Sequence, residues 1–260
     1  MEEAIDYDRF AHLYDTLVRF EEDVPFFRSV FAGSPGPVLE LMAGTGRVSV
    51  PLAESGVPLT CVDRSASMLA VLRSKLADRG LACGLVRADV RSLPFADDSF
   101  DAALLPFQSL SELVTEESRR RGLRSIRRVL APGGRFVCTL NNPGAWLRRM
   151  IPGTAGFREI ARHPRPDAPG EVALRLRADF DRETHVVTGE QVIEEIGPDG
   201  RTSTEIRVPL RFILPGRSEF ETMASEEGYG IESLAGDYRG APFDAASSPY
   251  LIWTLRKRPV

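Results

Sequence analysis

Histidine and cysteine are scarce in this 260-residue chain, with three of each. His12, His163 and His185 stand far apart, and Cys61, Cys83 and Cys138 show no C-x-x-C spacing, which argues against a sequence-local metal site and a disulfide framework. The cysteines read instead as small core residues in a reducing compartment, and no metal is expected. No apolar run approaches the ~20 residues that a membrane-spanning helix needs. The opening MEEAIDYDRF is acidic and has no apolar stretch, so neither a secretory signal nor a membrane partner is expected, and the expected location is the cytoplasm. Positive charge is not in surplus either: the net charge is −4, which removes any global attraction to nucleic acid. The one basic run, from Arg119 through Arg128, is expected to be the solvated face of a helix.

What is present is alternation. Apolar runs PVLELM (37–42), PLTCVD (58–63), GLVRAD (84–89), FDAALLPF (100–107) and RFVCTLN (135–141) are separated by amphipathic stretches, the pattern of a parallel sheet covered by helices. Arg47 to Ser55 suits a short helix stopped by Gly56. Ser65 to Arg79 carries a stripe of Met68, Leu69, Leu72 and Leu76 and is stopped by Gly80. A third helix is expected over Glu116 to Leu130, followed by a turn at Ala131-Pro132-Gly133-Gly134. The aromatic-rich segment from Tyr7 to Val30 has helical spacing, and a helix docked there could also lid a site.

After Asn142 the pattern changes. Residues 143–170 are rich in proline and glycine and are expected to be loop with a short helix. EVALRLRADF, HVVTGEQVIEEI and STEIRVPLRFIL then predict a three-stranded antiparallel meander. A helix near Arg217 to Glu227 and strands near Ile231 to Tyr238 and Tyr250 to Arg256 would return the chain to the main sheet. The predicted organisation is an N-terminal helical lid over 1–36, an α/β domain from 37–142 and 215–260, and an insertion over 143–214 covering an acceptor site.

The stretch VLELMAGTGR, residues 38–47, is a strand that ends on an acid and breaks into Gly44-Thr45-Gly46. Glycines there let the backbone turn and approach a ligand. In a dinucleotide fold the pattern continues to a third glycine, a position held here by Ser49. Asp63 ends the second strand, where a carboxylate accepts hydrogen bonds from ribose hydroxyls. Glu40 is unwelcome beside a pyrophosphate but suits a ligand with an amino group and a sulfonium, namely S-adenosylmethionine. Asp89 ends the third strand and could accept an adenine amine, with Met68 and Val90 packing on the ring; its plainer role is to cap the next turn.

VLELMAGTGR, LTCVDRSASML, VRADVRSLPFADDSFDAALLPFQSL and VLAPGGRFVCTLN together resemble the class I S-adenosylmethionine-dependent methyltransferases, small-molecule type. The resemblance implies a Rossmann-like α/β sheet with helices on both faces, here with an inserted antiparallel meander. It also implies S-adenosylmethionine as methyl donor and S-adenosylhomocysteine as product. Its cofactor residues fall on Glu40, Ala43, Gly44, Thr45, Gly46, Asp63, Arg64, Met68, Ala88, Asp89 and Val90, with Tyr14 above and Pro106, Phe107 and Gln108 on the methyl-transfer side. One departure is Met42, at a position where the family usually has glycine.

The expected reaction moves a methyl group to oxygen or nitrogen of a small organic acceptor, which is the expected partner, with a homodimer formed through the inserted strands as a further expectation. Any proton acceptor would come from His12, Tyr14 or His185, each of which also has a plain structural role. A binding subunit without transferase activity and a nicotinamide-dependent oxidoreductase are the competing readings, the latter disfavoured by Ser49 and Glu40.

Overall fold

A computed structural model describes residues 5–150 and 156–259. Residues 1–4 of the expected lid and 151–155 of the expected loop lie outside the described residues. In chain order the elements are α1 (Ala11–Leu17), α2 (Val24–Phe31), β1 (Val38–Leu41), α3 (Ser49–Glu54), β2 (Leu59–Asp63), α4 (Ala66–Asp78), β3 (Gly84–Arg87), β4 (Phe100–Leu105) and α5 (Glu116–Val129). They continue with β5 (Leu130–Asn141), α6 (Pro143–Met150), β6 (Arg158–Pro164), β7 (Glu171–Phe180), β8 (Val186–Ile196), β9 (Thr202–Ile213), α7 (Arg217–Glu226), β10 (Tyr229–Ala235) and β11 (Tyr250–Lys257).

Seven strands form the main sheet in the order β10-β11-β5-β4-β1-β2-β3. β1 pairs in parallel with β2 and β4, β2 with β3, and β4 with β5, while β11 and β10 close one edge antiparallel. Alternate residues of each strand serve opposite faces. Leu39, Leu41, Ala103 and Leu105 pack with Leu123, Ile126 and Phe220 on the α5 and α7 side. Val38, Cys61, Ala102 and Leu104 pack with Phe27, Leu52 and Leu72 on the side of α2, α3 and α4.

Local signals explain the helix starts. The Ser65 hydroxyl accepts from Met68 N and caps α4, and Thr115 does the same for α5 through Ser118 N. In α5, Glu116 and Glu117 occupy the first turn and Arg127 and Arg128 the last, matching the helix dipole. The arginine run is not a bare solvated face. Arg119 is buried, bonds the carbonyls of Leu113 and Val114 and pairs with Glu219 of α7, while Arg120 pairs with Glu116, Glu226 and Glu227. The run clamps α5 to α7.

Three expectations change in detail. The turn Ala131 to Gly134 lies within β5 as an outward bulge, since Phe100 faces Leu130 and Ala102 already faces Arg135. The N-terminal segment is two short helices; Pro25 opens the second, at a position where its missing N–H costs nothing. The inserted sheet has four strands, ordered β6-β7-β8-β9. β6, REIARHP, was hidden because it is an edge strand rich in charge, which suppresses the alternating pattern. Val172, Ile193, Val208 and Leu210 of this sheet pack onto Ile5, Phe10, Leu13 and Leu17, so α1 lies between the two sheets.

Candidate active site

The cleft opens at the carboxyl ends of the parallel strands, where open α/β sheets place ligands. It is lined by Tyr7, Tyr14, Met42, Gly44, Asp63, Arg64, Met68, Ala88, Asp89, Val90, Arg91, Ser109 and Glu112, among others. The turn after β1 shapes its floor. Gly44 has φ +57° and Gly46 φ +83°, both in the left-handed region that glycine tolerates. Their reasons differ. A Cβ on Gly46 would stand 2.1 Å from Leu72 Cδ1, so that glycine lets α4 approach the turn. A Cβ on Gly44 would meet nothing within 4 Å, so its absence leaves backbone open to the cleft.

Asp63 is fixed by the turn it faces. Its Oδ2 accepts from Gly44 N at 2.8 Å and its Oδ1 from Ser65 N at 2.8 Å. Burial raises its pKa against the pull of these two bonds. Asp89 follows β3 and caps the 3-10 turn Val90–Ser92 by accepting from Arg91 N, and it also pairs with the Arg91 guanidinium. That pairing lowers its pKa. The capping role and a place in the cleft wall coexist.

Several predicted residues stand elsewhere. Glu40 is buried on the α3 side of β1, and its Oε2 has no hydrogen-bond partner. Burial pushes its carboxyl up to about 8, opposed by the Ser49 hydroxyl and the Arg47 guanidinium. Thr45 is buried and donates to Asp15 Oδ1 at 2.6 Å, while its carbonyl accepts from Lys75. Ala43 is in the core, and neither it, Gly46 nor Pro106 lines the cleft. His12 is exposed, and His185 lies at the β7–β8 turn 3.9 Å from Glu219; neither lines a cavity wall.

A second cavity adjoins the first under the inserted sheet. Leu174, Leu176, Ile193, Leu210 and Phe212 supply its roof, and Phe10, Leu17, Phe107 and Trp146 its sides. Tyr7, Tyr14, Ser109 and Glu112 line both cavities and form the neck between them. Tyr7 Oη donates to Glu112 Oε1 at 2.8 Å, and the two tyrosine rings meet edge to face. Although the cavities leave part of Glu112 open, removal from bulk solvent pushes its carboxyl up to about 7, tempered by Tyr7 and Arg64. Tyr7 and Glu112 escaped the sequence reading. Tyr7 looked like one more aromatic of a packed helix, and Glu112 sits in a 3-10 turn with no periodic pattern.

Three residues beside this neck stand on strained backbone. Met42, Phe107 and Gln108 all have left-handed φ, at +53°, +54° and +50°. Such conformations cluster where ligands bind. Phe107 is held between Phe20, 5.3 Å away by ring centroids, and the Arg47 guanidinium, which Asp23 in turn pairs.

Comparison with known proteins fits this geometry. The family described as "Methyltransferase domain" matches residues 38–134. A demethylmenaquinone methyltransferase of Mycobacterium sp. (strain KMS) is 35% identical over 194 residues, 68% of this chain and 78% of that protein. The chain belongs to the class I S-adenosylmethionine-dependent methyltransferases. A second demethylmenaquinone methyltransferase, from Clavibacter sepedonicus, is 40% identical over 55% of this chain and 60% of its own length. The matched part spans from 36 to 60% of the length of this and the next three curated relatives. Among solved structures, the CcbJ methyltransferase from Streptomyces caelestis shares the fold over 97% of both chains, with a TM-score of 0.78 and 23% identity.

Proposed function

We propose that this methyltransferase moves the methyl group of S-adenosylmethionine onto an oxygen or nitrogen of a small organic acceptor, with the donor in the first cavity and the acceptor in the second. The observation that carries the reading is the shared neck: two adjoining cavities of different character meet at Tyr7, Tyr14, Ser109 and Glu112. The relatives' names support a small organic acceptor: a solved neighbour of this fold is a sugar N-methyltransferase, KedS8, and curated relatives are named for demethylmenaquinone, a quinone.

The donor fits the residues present. Asp63 would accept from the ribose hydroxyls and Asp89 from the adenine amine, with Met68 and Val90 packing on the ring; the bare backbone at Gly44 is the cradle that a Cβ would fill. The donor supplies a methyl carbon already activated by the sulfonium. What remains for the protein is to hold the acceptor close and in line. The apolar roof and the N-terminal helix exclude water from the neck. Glu40 is buried beneath the turn and does not line the cleft.

Calorimetric titration with S-adenosylmethionine, S-adenosylhomocysteine and NADH tests the reading. The two adenosyl ligands are expected to bind and NADH is not. Binding of NADH alone would overturn it.

A further inference from the structure

The second cavity has an unusual charge inventory. Among the described residues that line it there is no lysine, arginine or histidine, and Glu112 is the one carboxylic acid. An acid in an apolar enclosure needs a partner, because an unpaired buried charge is strongly unfavourable. Tyr7 supplies one hydrogen bond, to Oε1, and Glu112 lines both cavities. Four residues earlier, on the same segment, the buried Gln108 Oε1 has no hydrogen-bond partner at all. One segment thus brings a carboxylate and an amide to the wall of a cavity that holds no cation.

We propose that the acceptor is an amine carrying an apolar body, whose nitrogen is held between Glu112 and Gln108 and gives its proton to Glu112. This rests on the assignment of the second cavity to the acceptor. An ammonium has two or more N–H donors, enough for both waiting oxygens, whereas an alcohol has one. The Tyr7 and Tyr14 ring faces add attraction for a cation. A carboxylate or phosphate acceptor would meet Glu112 with like charge and find no cation in the wall.

The proton transfer is balanced. The amine N–H bond breaks and a Glu112 O–H bond forms, so the ammonium becomes a neutral amine and the carboxylate a neutral acid. The freed lone pair on nitrogen is what an in-line displacement requires. The groups facing Glu112 are Tyr7 on the N-terminal segment, Tyr14 on α1, and Asp63 and Arg64 at the end of β2. Burial raises the Glu112 carboxyl, Tyr7 and Arg64 favour its charged form and Asp63 disfavours it, leaving a carboxyl that accepts a proton near neutrality and releases it again.

The test uses three probes with one apolar body: 4-phenylbutylamine, 4-phenylbutanol and 4-phenylbutyrate. Each is titrated by calorimetry into the full chain loaded with S-adenosylhomocysteine. The amine is expected to bind at least about tenfold more tightly than the alcohol, the scale of a charge-assisted hydrogen bond, and the carboxylate not to bind. Glu112→Gln should remove most of that preference. Gln108→Leu should weaken the amine more than the alcohol. An alcohol bound as tightly as the amine, an amine affinity indifferent to Glu112→Gln, or no binding by any probe would overturn the proposal. If S-adenosylhomocysteine itself fails to bind, the donor assignment falls separately. The same titrations of the unloaded protein, wild type against Glu112→Gln, then still decide the amine preference.

Discussion

Met42 is a methionine in a conformation made for glycine. Its φ of +53° places it in the left-handed region, where the Cβ crowds the following carbonyl and costs about 1–2 kcal/mol for an L-residue. The side chain lines the cleft and packs against the core beneath the sheet, so it recovers part of that cost through burial. Two substitutions separate the terms. Met42→Ala loses the side chain and keeps the strain; Met42→Gly loses the side chain and the strain together. Glycine's extra freedom in the unfolded chain offsets about 0.4–1 kcal/mol of the relief. The glycine variant is therefore expected to be more stable than the alanine variant by about 0.5–1 kcal/mol, against the usual order of these two residues. Urea denaturation of the two variants, with matched slopes, measures the difference. An alanine variant as stable as the glycine variant, or more so, would refute strain at position 42.

Asp63→Ala is expected to weaken S-adenosylmethionine binding by roughly 1.5–3 kcal/mol through lost charge-assisted hydrogen bonds, read by calorimetry; unchanged affinity would remove Asp63 from the ribose. Glu40 gives a pH signature. Its folded value of about 8 lies above its ordinary value, so the native state holds the extra proton between the two. Stability is greatest below the ordinary carboxylate range and declines as pH rises toward 8, by at most about 1.4 kcal/mol per unit. Glu40→Gln should flatten that decline in urea titrations from pH 5 to 8.5, and parallel curves for the two proteins would count against it. Gly46→Ala brings a Cβ against Leu72 at a left-handed φ and is expected to destabilise by about 2 kcal/mol or more, seen as a lowered Tm.

The main sheet was legible because its strands are continuous apolar runs and its helices carry a stripe and a stop. Asp63 and Asp89 could be placed because strand ends share one rim. Side-chain direction could not be read so easily. Glu40 lies one residue before a strand end, and that single step sends it to the opposite face from Leu41. The two glycines of the turn look alike in sequence, yet one yields to Leu72 and the other opens onto the cleft. The neck was invisible because it joins Tyr7 to Glu112 across 105 positions of chain, and no local pattern reports such a meeting.

The strap formed by the N-terminal segment has a consequence for biosynthesis. Arg9 bonds the carbonyl of Arg207, and Ile5, Phe10, Leu13 and Leu17 bury themselves against strands that begin only at Glu171. These residues are synthesised well before the surface that covers them. At about 5–20 residues per second the strap waits many seconds with its apolar face uncovered. Until then the nascent chain carries an uncovered apolar face in the segment that later contributes Tyr7 and Tyr14 to the neck.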